Sequence, residues 1–157
     1  MNSVVAVKTE AKPVYRHALV PTNQCFLIWK DVRDLLEAAV LRSHGRWTME
    51  QLCAVVCTGL QSLWVTYDEE GYIRAAMTTQ IVQYPNTKFI AVQFLGGDDF
   101  EAWCDGLLDL IERYGKDTGC SGVETVARLG FRNFFKRRGY DQSYATYETS
   151  LEDSSHG

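Results

Sequence analysis

The sequence predicts one α/β domain, a mixed and mainly antiparallel sheet, strongly twisted and flanked by helices. Three observations predict it. The middle of the chain, from Leu60 to Leu95, alternates strand-like runs with tight turns. Stripes of apolar residues at helical spacing lie on both sides of this meander. An amphipathic helix then leads into a short apolar run, Gly122 to Ala127, which a crossover of that kind sets parallel to the strand before it. At 157 residues, 46% hydrophobic and 23% charged, the chain is long enough for one complete core and too short for two ordinary domains. The boundaries that follow are an N-terminal arm over 1–16, a domain over 17–151 and a polar tail over 152–157.

The elements can be justified in order. His17 to Val20 is the first strand, ended by Pro21. Val32, Leu35, Leu36, Ala39 and Val40 share one face of the helix that follows, which stops near Ser43-His44-Gly45. Thr48 with Gln51 forms a capping box for a second helix that turns Leu52, Val55 and Val56 inward and is closed by Gly59. Leu60 to Tyr67 is a strand, Asp68 to Gly71 a solvated hairpin turn, and Tyr72 to Gln83 the returning strand. After a turn at Tyr84-Pro85-Asn86, the largely apolar Lys88 to Leu95 suits the centre of the sheet. Gly96-Gly97 breaks that strand, and Asp98 with Glu101 caps a helix carrying Phe100, Trp103, Leu107, Leu110, Ile111 and Tyr114 on one stripe. Phe131, Phe134 and Phe135 face inward on a last helix capped by Gly139, and Ser143 to Leu151 completes the sheet as a final strand. The residues from Glu152 on read as a frayed tail.

Composition narrows the function. With 16 basic and 20 acidic residues the net charge is −4, so bulk electrostatics do not favour nucleic acid. No apolar run approaches the ~20 residues of a membrane helix, and the N-terminus lacks the apolar stretch of a secretory signal. Cys25, Cys53, Cys57, Cys104 and Cys120 form no Cys-x-x-Cys pair. Cys53 and Cys57, one helical turn apart among apolar residues, read as small core residues rather than a metal site, and no metal is expected. The odd count points to a reducing, intracellular setting. No His lies near a Cys in the pattern of a nucleophile pair, and no phosphate-loop or His-Glu-x-x-His motif occurs.

Strand, two helices, three antiparallel strands, helix, strand, helix, strand is an order that resembles the GCN5-related N-acetyltransferase (GNAT) superfamily over residues 17–151. The run Arg128-Leu129-Gly130-Phe131-Arg132-Asn133-Phe134-Phe135-Lys136-Arg137-Arg138-Gly139-Tyr140 is similar to that family's late helix, which ends in glycine and an aromatic. Glu124, Arg128, Gly130, Gly139 and Tyr140 further resemble a pattern of small GNAT-like proteins of tailed bacteriophages.

The resemblance implies an acetyl-CoA site where a glycine-rich loop meets the long helix, whose N–H groups hold a diphosphate. Here that position reads Leu95-Gly96-Gly97-Asp98-Asp99-Phe100-Glu101, without the spaced glycines and with three carboxylates in their place. A capping carboxylate would occupy the donors that a phosphate needs. Each close anion–anion contact near ~4 Å would cost up to about 4 kcal/mol at a near-surface dielectric. The family's tyrosine acid falls at Phe135, which has no hydroxyl.

The expected function is therefore a GNAT-fold protein with a degraded acetyl-CoA loop and no bound cofactor. It would be a phage-encoded accessory or virion-associated protein acting through protein contacts, in the host cytoplasm or the virion. Its contact surface would be the basic face of Arg132, Lys136, Arg137 and Arg138, although the simpler reading of that cluster is a solvated face complementing the helix dipole. The alternative is an acetyl-CoA-dependent N-acyltransferase acting on a protein or small-molecule amine. Its coenzyme contacts would come from Leu95, Gly96, Gly97 and Arg128, and its proton chemistry from Glu124, Tyr140 or Tyr144.

Overall fold

Five strands lie in a single sheet in chain order, β1 to β5, in the computed structural model, which describes residues 13–152. β1 (Arg16–Val20), β2 (Ser62–Tyr67), β3 (Ile73–Gln83) and β4 (Lys88–Gly97) form an antiparallel meander, and β5 (Gly122–Thr125) runs parallel to β4. The helices are α1 (Cys25–Leu41), α2 (Met49–Cys57), α3 (Phe100–Asp117) and α4 (Arg132–Arg137). This is the mixed, helix-flanked sheet that the sequence predicts. The chain forms two compact units, Met1–Thr125 and Val126–Gly157, and the whole sheet belongs to the first.

The sheet has an apolar core on each face because its strands alternate. Leu63 and Val65 of β2 point to the α1 and α2 side, where Val32, Leu36, Val40, Leu52 and Val56 are buried with Phe94. Trp64 points the other way and meets Tyr114 of α3 edge-on, with ring centroids 5.1 Å apart. On that second side Trp103, Cys104, Leu107, Leu108 and Ile111 of α3 are all buried.

Several polar groups inside this frame have hydrogen-bond partners. Trp64 Nε1 donates to Thr79 Oγ1 at 2.9 Å, and His17 Nδ1 lies 2.7 Å from Thr66 Oγ1. Thr48 and Gln51 make the predicted capping box at the start of α2. The Asp68 turn is more ordered than a solvated hairpin requires. Its carboxylate accepts the N–H groups of Glu70 and Tyr72 and pairs with Arg74 at 2.6 Å, which holds it below the usual carboxylate range despite some desolvation.

Several expectations change. β2 begins at Ser62 rather than Leu60, because Gly59 turns the chain at φ 84° and leaves Leu60 67% exposed. β5 ends at Thr125 instead of Ala127. The predicted strand Ser143–Leu151 is absent. Its bulky residues fall at 144, 147 and 151, a spacing of three and four rather than two, so no single sheet face could bury them. Tyr144 and Leu151 are accordingly 93% and 94% exposed. Of the predicted arm, Met1 to Lys12 lie outside the described residues, as does the tail beyond Glu152, and Arg16 already belongs to β1.

A Cβ at Gly96 would run into the carbonyl of Leu35 in α1, so α1 can lie on β4 only over a glycine. Gly96→Ala is expected to cost about 3 kcal/mol in urea unfolding. Gly130→Ala, where a Cβ would meet nothing within 4 Å, should change stability by less than about 0.5 kcal/mol.

Burial holds the His17 imidazole below its ordinary value of 6.5, and Asp109 partly offsets the effect. The folded protein thus binds this proton less readily than the unfolded chain. The stability His17 contributes is intact above the unfolded pKa and is lost as pH falls below it. Unfolding free energies at successive pH values should decline less steeply on acidification in His17→Gln than in the wild type.

Candidate active site

The first structural event at the site is a β-bulge. Thr79 of β3 opposes Val92 while Thr78 opposes Phe94, so Gln93 is an extra residue in β4. The buried Thr78 Oγ1 accepts the Phe94 N–H at 3.2 Å and supplies a partner where the ladder is interrupted. The parallel pairing with β5 covers only Phe89 to Val92. From Gln93 to Gly97, β4 keeps β3 on one side. Among the described residues, no strand pairs with its other edge.

β4 then passes into α3 through Gly96-Gly97-Asp98-Asp99. Leu95, Gly96 and Gly97 sit opposite Met77, Ala76 and Ala75 in the ladder. Gly97 has φ 144°, and a Cβ there would stand 2.6 Å from the Arg74 carbonyl. The fold itself therefore requires both glycines.

The expected capping is corrected here. The N-cap of α3 is Asp99 in the left-handed region at φ 60°, and no side chain caps the helix. Asp98 contributes its carbonyl, which accepts the Trp103 Nε1–H at 2.6 Å, and the Asp99 carboxylate accepts the Tyr15 hydroxyl at 3.3 Å. Tyr15 thus holds the Asp99 carboxylate, while Asp98 stands one residue before the N-cap. The N-cap carboxylate makes no hydrogen bond to the helix N–H groups, which weakens one of the two objections to an anion. The charges themselves remain, on exposed side chains.

Glu124, one residue before the end of β5, accepts the Tyr84 hydroxyl at 2.6 Å. Tyr84 comes from the β3–β4 turn and packs edge-on against Phe89, with centroids 6.0 Å apart. The forty residues between Tyr84 and Glu124 hide this pair from the sequence. Only the parallel register, with Glu124 beside Ala91, brings them together.

In the second unit, Arg128 lies over the Phe131 ring at 5.4 Å. Phe135 contacts both Phe134 and Tyr140, with centroids 5.3 and 5.2 Å away, so Tyr140 is an aromatic packing residue within its unit. Gly139 takes the expected left-handed position at φ 84°. Arg132, Lys136 and Arg137 are exposed on α4, and Arg138 is half-buried. Tyr144 stands in solvent.

Cys53 and Cys57 lie with their sulfurs 3.9 Å apart, and the described residues hold no cluster of three or more metal-ligating side chains. Burial, then the bond to Cys57, pushes the Cys53 thiol up to about 11.

No protein-family model matches the chain, and no curated protein matches it. Solved structures do. An acetyltransferase of Trypanosoma brucei superposes with TM-score 0.64 at 10% identity, covering 88% of this chain and 100% of that one. An aminoglycoside 6'-N-acetyltransferase of Acinetobacter baumannii gives 0.63 at 12% identity over 90% and 100%. A predicted acetyltransferase of Clostridium acetobutylicum, solved with acetyl-CoA, gives 0.62 at 14% over 91% and 100%. The chain has the GNAT fold. At these identities the likeness concerns architecture, and within the GNAT frame the bulged end of β4 with the start of α3 is the site to test.

The thiol chemistry offers a direct check on packing. In mass-spectrometric alkylation with iodoacetamide at pH 8, Cys53 should be modified at least about tenfold more slowly than an unperturbed thiol, because little of it is thiolate.

Proposed function

We propose that this protein binds acetyl-CoA and transfers its acyl group to an amine. The observation that carries this reading is the parting of β4 from β5 at the Thr78-anchored bulge, directly before a long helix whose N-terminus no side chain caps. An edge without a ladder partner from Gln93 to Gly97 suits the amide-containing arm of the coenzyme, held through backbone groups of Leu95, Gly96 and Gly97. The first turn of α3 suits its diphosphate. When bound, the coenzyme supplies an acyl group already activated as a thioester.

Asp98, Asp99 and Glu101 oppose that anion. They are exposed, however, so each repulsion at ~4 Å is closer to about 1 kcal/mol than to the larger near-surface figure, and salt screens it. The proposed proton acceptor for the amine is Glu124, ordered by Tyr84. A hydroxyl at Phe135 is dispensable, because a thiol with an ordinary pKa near ~8.5 needs little help to depart.

Acetyl-CoA at millimolar concentration should raise the melting temperature by several degrees, and more so at moderate than at low ionic strength. Glu124→Gln should lower kcat about a hundredfold with little change in the KM for acetyl-CoA. Absence of any thermal shift would overturn the reading. The second reading would then gain: a non-catalytic protein, virion-associated and phage-encoded, that uses its exposed Arg132, Lys136 and Arg137. It is favoured by the acidic α3 start and by Phe135, and it predicts stoichiometric amounts of the protein in purified particles.

A further inference from the structure

The end of the sheet remote from Gly96-Gly97 holds a cavity of about 350 Å³. The strand register separates the two places. Val20 opposes Leu63 and Ser62 opposes Thr79 beside the cavity, whereas Ala75 opposes Gly97 at the other end. The cavity wall includes Leu19, Thr22, Cys25, Gln61, Leu63 and Tyr114. Its volume is that of a small-ligand site.

Gln61 is the anomaly in this wall. Among the described residues the buried polar ones are Gln61, Thr66, Thr78 and Thr79. The three threonines have hydrogen-bond partners in His17, the Phe94 N–H and Trp64. Gln61 is 2% exposed, and neither its Oε1 nor its Nε2 has a partner. Its backbone is fixed, since its N–H donates to the Val55 carbonyl at 3.0 Å and the ladder starts at the next residue. Only the side-chain torsions are left to bring the amide to a partner, and the cavity is the space beside it. A buried amide without partners is costly, and native proteins retain few of them.

We propose that this cavity binds a small neutral ligand with an amide or lactam edge, which pairs with the Gln61 carboxamide as that group turns toward it. The chemistry narrows the class. A carboxamide presents one acceptor and one donor group side by side, and the complement of that pattern is another amide. None of the lining side chains carries a charge, so an ionic ligand would lose its hydration without compensation. Leu19 and Leu63 offer apolar contact to a compact ring behind the polar edge, and the hydroxyl-bearing Thr22, Ser62 and Tyr114 also line the space. The site is independent of the coenzyme reading and stands or falls separately from it.

The test is an NMR titration of the full chain with 2-pyrrolidinone, and with cyclopentanone as a ring of the same size that lacks the N–H donor. The lactam at about 10 mM should shift the amide signals of Gln61, Ser62 and Leu63, and cyclopentanone should bind at least about fivefold more weakly. Gln61→Met should abolish the preference for the lactam. Leu19→Trp, on an exposed edge strand, should block the cavity and remove both responses, and it keeps the test valid if the Gln61 variant fails to fold. Equal affinity for the two rings, a lactam preference that survives in Gln61→Met, an unchanged response in Leu19→Trp, or no response in the wild type would each overturn the proposal.

Discussion

The architecture depends on one close approach. α1 crosses the sheet with the Leu35 carbonyl where a side chain on Gly96 would be, and the next glycine fits against Arg74 and Ala75. Any Cβ at Gly96 would lift the helix away from β4 and open the core formed by Val32, Leu36, Phe94 and Leu52. The same contact sets where β4 may end and therefore where α3 begins. A packing requirement between α1 and β4 thus fixes the position of the site.

That origin changes the meaning of the glycines. In sequence a Gly-Gly before a helix invites a comparison with phosphate-binding loops, and the missing spaced glycines then read as decay. In the structure both glycines answer to neighbouring backbone and would be needed whether or not a ligand binds. The features bearing on a ligand are instead the Gln93 bulge, the short β5 and an α3 start whose acidic side chains do not cap it. None of these is a motif. Each is a consequence of register and of which hydrogen bonds are left over.

Polar residues in the core divide the sheet into two working ends. Thr66 holds His17 in register with Ala75 and Gly97, and Thr78 and Thr79, opposite Leu63 and Ser62 farther along the sheet, support the bulge and Trp64. At the other end Gln61 has neither solvent nor a partner, beside a cavity that no charged side chain enters. The physical contrast is between an end built from backbone groups and acids and an end built from an amide among uncharged side chains.

The sequence by itself determined the element order from β1 to α4, the capping box at Thr48, the left-handed positions at Gly59 and Gly139, and the parallel placement of β5, because these follow from local periodicity, capping chemistry and the handedness of a crossover. It misread Ser143–Leu151, where β-forming residue types were present without the period of two that a sheet face requires. It also misread the start of α3, where the N-cap falls at Asp99 rather than Asp98 and the distant Tyr15 hydroxyl holds the Asp99 carboxylate. The Thr78–Phe94 bond, the Tyr84–Glu124 pair and the unpartnered Gln61 amide were decided only by the tertiary structure. Each depends on groups meeting, or failing to meet, across many residues, and no local pattern in the chain encodes that distance.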